Sequence, residues 1–333
     1  MPAAFASSLR TAPWRGRGIL LALCALALSM VGTQARAQLA PDIRLVVGAP
    51  AGGLADTAAR LLATQLAASG ARVSVEYRPG DGGREAARVV IQSFGDPGVL
   101  LVAENLTLAL QDLRGTPLFN GLLPVAKLST GVSTVLFARA DGATGAWTEF
   151  IAAARRKRLL AASNGRTSDV SLPLAMIERR WGVRFQDAEV ADAARITDIV
   201  AAGGADFGIT TVDQLLAWQA RDNGPADLAA MMTFGAERSP AYPDTPTLAE
   251  LGRDRRLAFT LSFALYAPLG LAAGELAALR KAALAANDNA TVRAQAQAAR
   301  LPFVVAGPDV LDETLSRDRR IAAAIASALG NPR

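Results

Sequence analysis

A short apolar strand that runs into a glycine turn and then a helix start, Ile43 to Arg60 (IRLVVGAPAGGLADTAAR), does most to narrow the folds open to this chain. Ile43, Leu45, Val46 and Val47 make an apolar run of strand length. Pro50, Gly52 and Gly53 break it, and from Asp56 onward Leu61, Leu62 and Leu66 recur at helical spacing. The first turn of such a helix has backbone N–H groups without intrahelical partners and a partial positive charge. Glycines there let an anion approach the backbone, so a carboxylate or phosphate can be held without a basic side chain. Taken alone, the same pattern also describes an ordinary βα connection.

The pattern then repeats. A strand is predicted from Arg72 to Glu76, followed by the turn Arg78-Pro79-Gly80-Asp81-Gly82-Gly83, a helix from near Glu85 and a strand from Val99 to Val102. Strands alternating with helices predict an α/β fold around mainly parallel sheets, with ligands at the carboxyl ends of the strands where both glycine turns fall. Val132 to Ala138 reads as a strand at the crossing into a second lobe. Beyond it the pattern predicts a helix over Trp147 to Arg156, strands over Leu159 to Ala162 and Asp206 to Thr210, and a helix from Asp213. A stiff, proline-rich connection, Arg238 to Thr247, precedes a strand-like run from Ala258 to Ala267 and alanine-rich helices from Glu275 and Leu311. About 296 residues after a leader, roughly half of them apolar, suit two lobes with separate cores. The expected division is 38–138 with 236–333 in the first lobe and 139–235 in the second.

The first 37 residues read as a secretory signal: Arg10, Arg15 and Arg17 precede an apolar run from Ile19 to Val31, and Ala35-Arg36-Ala37 marks cleavage after Ala37. That run is too short for the roughly 20 residues a membrane-spanning helix needs. The expected location is therefore the periplasm. The net charge of +5 includes four leader arginines and no leader acid, so the exported chain carries only +1. With no basic excess there is no footprint for nucleic acid. The chain contains no histidine, and its one cysteine, Cys24, lies in the leader. Ser-His-Asp and Cys-His catalysis, histidine or cysteine metal sites and disulfides are thereby excluded from the exported part. No metal or cofactor is expected. A hydrolase using Ser168 or Ser171 with a lysine is the remaining enzymatic reading, but the chain has neither a G-x-S-x-G elbow nor S-x-x-K spacing.

Four segments, IRLVVGAPAGGLADTAARLL, VEYRPGDGG, SNGRTSDVSL and AERSPAYPDTPTLAELG, occur in the order and spacing of the Bug-type solute receptors. These are the periplasmic binding proteins associated with tripartite tricarboxylate transporters, and the chain resembles them from Ile43 to its C-terminus. The resemblance implies a two-lobed α/β binding protein, a monomer, that closes over a small carboxylated molecule for membrane transporter subunits. A ligand-sensing or orphan receptor that signals to a sensor protein is the alternative partner arrangement. Carried over by position, the first loop supplies Pro50, Gly52, Gly53 and Asp56, the second Gly82 and Gly83 beside Arg78 and Pro79, and the opposite lobe Ser163, Gly165 and Ser168. The chain departs from the family at Gly48 and Ala49, where proline and phenylalanine are usual and a looser cleft wall is expected. It also departs at Thr167, which replaces a glycine, and at Ser171, which replaces a histidine.

Each candidate has a plainer reading beside the functional one. Gly52 and Gly53 either contact ligand or only shape the turn. Asp56, in the first helical turn, either caps orphan N–H groups or meets the ligand. Ser163, Asn164, Thr167 and Ser168 can bind a carboxylate or cap the following helix. Arg166 is either a bidentate clamp on a second carboxylate or a solvated surface residue. Arg78 with Pro79 either anchors the turn or clamps the ligand, and Tyr77 and Glu104 flank the strand ends, where they either shape the cleft or take no part in it.

Overall fold

The computed structural model describes residues 39–113, 117–129, 131–141, 147–163, 171–190, 195–221 and 228–329. The chain first lays down β1 (Asp42–Val47), α1 (Leu54–Ala68), β2 (Arg72–Tyr77), α2 (Arg84–Gln92), β3 (Val99–Glu104), α3 (Asn105–Asp112) and β4 (Leu122–Lys127). It then builds β5 (Thr134–Arg139), α4 (Trp147–Arg156), β6 (Leu160–Ser163), α5 (Ser171–Trp181), β7 (Gln186–Glu189), α6 (Ile196–Ala201), β8 (Phe207–Thr211), α7 (Val212–Gln219) and β9 (Leu228–Thr233). It returns through α8 (Leu248–Gly252) to β10 (Phe263–Pro268) and ends with α9 (Ala273–Leu284), α10 (Ala290–Ala298) and α11 (Pro308–Leu329).

Two five-stranded sheets result, in the orders β2-β1-β3-β10-β4 and β7-β6-β8-β5-β9. Both sheets are mixed. In the first, β1 pairs in parallel with β2 and β3, while β10 is antiparallel to β3 and β4. In the second, β6 pairs in parallel with β7 and β8, while β5 is antiparallel to β8 and β9. The antiparallel half follows from the connectivity. β10 and β5 each arrive from the opposite lobe, so they enter their sheet from the crossing end and run against strands that run toward it. Each also carries a register shift, at Leu265/Tyr266 and at Leu136/Phe137, and such shifts bend and twist a strand.

The crossing itself is a pair of antiparallel segments. Val132 N–H donates to the Leu261 carbonyl (2.6 Å) and Leu261 N–H donates back (3.0 Å). β5 belongs to the second sheet, whereas the sequence division placed residues up to 138 in the first lobe. Its residues Thr134 to Ala138 are all buried, and an apolar run of this kind looks the same whichever sheet receives it. Polar β7 and alanine-rich β9 lack the alternation by which strands are recognised. β4 contains Pro124 and lies at a sheet edge, where a missing N–H is tolerated.

Helices cover both sheets. Leu45, Val46 and Val47 of β1 and Leu100, Leu101 and Val102 of β3 are completely buried, as expected for central strands covered on both faces. The second lobe centres on Phe150, Phe185 and Phe207, whose ring centroids lie 4.8–5.8 Å apart. The tilted and edge-on arrangement is the one aromatic rings prefer.

Candidate functional site

The first glycine turn is fastened from beneath. Asp56, in the first turn of α1, is 5% exposed, and its Oδ2 accepts the Gly52 N–H at 2.8 Å. Its Oδ1 accepts the Tyr77 hydroxyl at 2.7 Å and meets Arg60 Nε at 2.8 Å. Arg60 also donates to the Tyr77 oxygen at 2.6 Å. Burial raises the pKa of Tyr77. One carboxylate therefore ties the turn, helix α1 and the end of β2 together. Gly53 is the N-cap of α1 and offers no side-chain cap, which leaves the helix start to backbone N–H groups.

The second turn closes against the first. A Cβ on Gly48 would stand 2.7 Å from the Gly83 Cα, so two backbones meet where side chains would collide. Ala49 beside it is 4% exposed. The wall expected to be loose at Gly48 and Ala49 is in fact filled by the neighbouring turn.

Behind the third strand lies a buried polar network. The Glu104 carboxylate caps α3 by accepting the N–H groups of Leu106 (3.0 Å) and Thr107 (2.7 Å). The Ser262 hydroxyl, next to the crossing, donates to Asp318 of α11 at 2.9 Å. It also accepts from Asn105 Nδ2 at 3.0 Å, and Asn105 Oδ1 accepts the Tyr266 hydroxyl at 2.6 Å. Burial, opposed by hydrogen bonds to the carboxylate, pushes Glu104 up to about 7. Burial raises Asp318 too, opposed by Ser262 and Arg317.

Between the two sheets is a cavity of about 250 Å³. The first lobe lines it with Gly52, Gly53, Leu54 and Thr57 and with Ala298, Ala299 and Arg300 at the end of α10. The second lines it with Thr197 of α6, Thr210 of β8, and Gln214, Ala217 and Arg221 of or just after α7. Among the described residues that line it, none is acidic. Arg221 is held by Asp198 at 2.8 Å, and the Trp218 indole donates to the same carboxylate oxygen at 3.1 Å. Thr210 donates to the Gln214 side chain, and Thr211 caps α7 by accepting the Gln214 N–H at 3.1 Å.

Of the residues expected from the sequence, Gly52 and Gly53 line this cavity. Pro50, Asp56, Gly82, Gly83 and Ser163 do not, and Asp56, Gly82 and Gly83 shape the turns around it. Ser163 is 1% exposed and its hydroxyl donates to Asp187 at 2.5 Å. Gly165, Arg166, Thr167 and Ser168 lie outside the described residues. The sequence reading missed Thr57, Thr197, Thr210, Gln214, Arg221 and Arg300. For Thr210 and Gln214 a signal existed, because the Ile209-Thr210-Thr211 strand end runs directly into a helix, the same junction that marked the first turn. Arg300 had none, being brought to the cavity from a distant part of the chain.

Two sheets of identical strand order, joined by crossing segments and enclosing a cavity between them, define the two-lobed solute-binding class of protein. The structure resembles the periplasmic binding protein BugD (TM-score 0.68, 19% identity, covering 87% of this chain and 97% of that one). It likewise resembles MatC of Rhodopseudomonas palustris with bound malate (TM-score 0.66, 24% identity, 85% and 98% covered). A second R. palustris protein, with adipate, matches at TM-score 0.66 and 19% identity over 87% of this chain and 97% of that one. In sequence, the chain is 30% identical over 263 residues to the UPF0065 protein in the gbd 5'region of Cupriavidus necator, covering 76% of this chain and 77% of that protein. Residues 56–304 match the model of the tripartite tricarboxylate transporter family receptor, and the chain belongs to that family. It is a family of receptors, not of enzymes.

Proposed function

We propose that the protein captures a small organic acid in the interlobe cavity and, in the periplasm, presents the closed form to the membrane subunits of a tripartite tricarboxylate-type transporter. The observation that carries this is the lining of the cavity among the described residues: the start of α1 at Gly53 and Leu54 and two arginines, with no acidic side chain. Such a lining favours an anion over a cation or a neutral solute. Adipate in one structural relative and malate in another support a carboxylate. Hydrogen bonds to a charged group contribute about 1.5–3 kcal/mol each, so four or five reach the roughly 8 kcal/mol of a micromolar complex after association losses.

A ligand touching both lobes binds the closed state more tightly and shifts the population toward it. Movement about the Val132–Leu261 crossing would carry each sheet with its helices as one body. The protein acts as a monomer, exported by a signal segment cleaved after Ala37. Titration calorimetry across mono-, di- and tricarboxylates, paired with small-angle scattering, tests this reading. A micromolar complex accompanied by a smaller radius of gyration is the expected result; no heat and no compaction with any member of the panel overturns it.

A further inference from the structure

The end of the second sheet that faces away from the cavity is strongly basic. β6, β7 and β8 start at this end and the antiparallel β5 finishes there, whereas Thr210 lines the cavity from the other end of β8. The run Arg155-Arg156-Lys157-Arg158 closes α4 and leads into β6, and all four residues are exposed. Arg184 is exposed two residues before β7, just as Arg158 lies two before β6, and the pairing of Leu160 with Gln186 brings both to one stretch of the sheet edge. Arg139 ends β5 at the same edge.

These six cations meet two carboxylates. Asp141 holds Arg139 at 2.6 Å and Asp206 holds Lys157 at 3.0 Å. Asp187, the acid within β7, instead accepts the Ser163 hydroxyl, at the end of β6 nearer the cavity. The side chains of Arg155, Arg156 and Arg158 have no ion-pair or hydrogen-bond partner among the described residues, and Arg184 reaches only the neighbouring Val183 carbonyl, at 3.3 Å. The exported chain carries only +1, so the rest of it is net negative and the positive charge is concentrated at this pole. Local structure explains part of the arrangement. Cations in the last turn of a helix face its negative end, which accounts for Arg155 and Arg156, and Asp206 accounts for Lys157. Arg158 and Arg184 lie beyond the helix and pair with no acid. Like charges gathered on one edge repel, and an external anionic surface would offset that repulsion.

The same edge indicates which kind of anion. Leu159, Val183 and Phe185, the apolar residues interleaved with these arginines, are all buried. Stable docking of a protein partner rests on apolar or aromatic anchors in a desolvated centre, and this edge presents none. A bilayer surface with anionic headgroups needs only flexible cations within the screening length, each contributing roughly fivefold to partitioning. Contact of this kind is peripheral, and no helix among the described residues is long and apolar enough to cross a membrane.

We propose that the Arg155–Arg158 run, together with Arg184, is a membrane-surface site that holds the protein reversibly on anionic phospholipid headgroups while its cavity stays open at the other end of the lobe. This goes beyond the carboxylate-receptor reading and does not depend on which acid is bound.

Vesicle sedimentation tests it, on protein purified from the periplasm after expression of the full chain. The probes are vesicles of phosphatidylcholine alone and of phosphatidylcholine with about one-third phosphatidylglycerol. Wild type should sediment with the anionic vesicles only, and should be released at about 1 M salt, where the screening length falls to about 3 Å. The triple variant Arg155→Gln, Arg156→Gln, Arg158→Gln should partition about tenfold more weakly or less, and Arg184→Gln alone about fivefold more weakly. Removing three exposed arginines elsewhere, by Arg253→Gln, Arg255→Gln and Arg320→Gln, should change partitioning by less than about threefold. No sedimentation of wild type with anionic vesicles, or equal losses in the two triple variants, overturns the site. Should the first triple variant fail to fold, an unchanged Arg184→Gln overturns it as well. Binding to soluble polyglutamate without sedimentation assigns the edge to an acidic protein segment and overturns the lipid surface. Carboxylate affinity, read by calorimetry on the same samples, should match wild type in every variant, so failure at the membrane leaves the receptor reading standing.

Discussion

The turn after β3 and the turn after β8 occupy the same place in two sheets of the same strand order, yet they are built differently. In the first lobe α3 is capped by a buried carboxylate, Glu104, whereas in the second α7 is capped by a hydroxyl, Thr211. The contrast extends to the rest of the cleft. The first lobe spends its side chains on holding its own backbone, with Asp56 under the first turn and Glu104 under the third, and packs the Gly48 backbone directly against that of Gly83. What it shows to the cavity is largely backbone and small residues, apart from Arg300. The second lobe turns Thr197, Thr210, Gln214 and Arg221 directly to the cavity. Backbone donors recognise any carboxylate, so the first lobe suits the feature that ligands share. Side chains distinguish one ligand from another, so the second lobe suits the differences.

This division of labour can be broken at three places. The largest effect is expected from Asp56→Ala, which leaves the Gly52 N–H, the Tyr77 hydroxyl and Arg60 without their shared acceptor. Hydrogen bonds to a buried carboxylate contribute about 1.5–3 kcal/mol each, so losing those from Gly52 and Tyr77 costs about 4 kcal/mol, read by urea denaturation, and ligand affinity should fall with it. A loss below about 1 kcal/mol would show that the first turn holds itself.

The next effect is a pH dependence belonging to the first lobe. Glu104 is raised in the folded protein to about 7 from an ordinary 4.5. Between those values the folded state keeps a proton that the unfolded chain releases, so this group lowers stability as pH rises through the window. At about 1.36 kcal/mol per pH unit the loss approaches 3 kcal/mol. Glu104→Gln should remove most of this slope, and the difference between wild type and variant isolates it from Asp318. Parallel stability curves for the two proteins from pH 4 to 8 would contradict the assignment. No counterpart is expected from Thr211, which does not titrate.

The smallest effect on stability falls in the second lobe. Thr197→Val replaces a hydroxyl at the cavity wall by a methyl of similar shape, so unfolding free energy should stay within about 0.5 kcal/mol. Affinity for the preferred acid should drop about tenfold, roughly 1.4 kcal/mol. A stability loss without an affinity loss would make Thr197 a structural residue and blur the contrast between the lobes.

Much of the fold is local in origin, and local patterns survive in sequence. The apolar run of β1, the breaks at Gly52 and Gly53 and the helical spacing of Leu61, Leu62 and Leu66 specify a strand, a turn and a helix before any tertiary contact forms. The absence of histidine and the presence of a single cysteine, Cys24, remove most of the usual catalytic groups, which is legible from composition alone. The order of motifs was enough to indicate the family.

Other properties depend on which residues the fold brings together. That the two sheets repeat one strand order is invisible in a sequence without internal similarity, because topology is set by how the chain crosses between lobes. The fate of Asp56 depended on Tyr77 and Arg60 reaching the same carboxylate. Gly48, read as a loosened wall, is a close contact because Gly83, 35 positions later, packs against it. Arg300 and Thr197 lie about a hundred residues apart, and neither has a motif around it. By itself the sequence determined a two-lobed receptor whose strand, glycine turn and helix start stand at the end of β1. Only the tertiary structure decided which side chains face that turn across the cavity, because such neighbours are set by long-range packing and not by spacing along the chain.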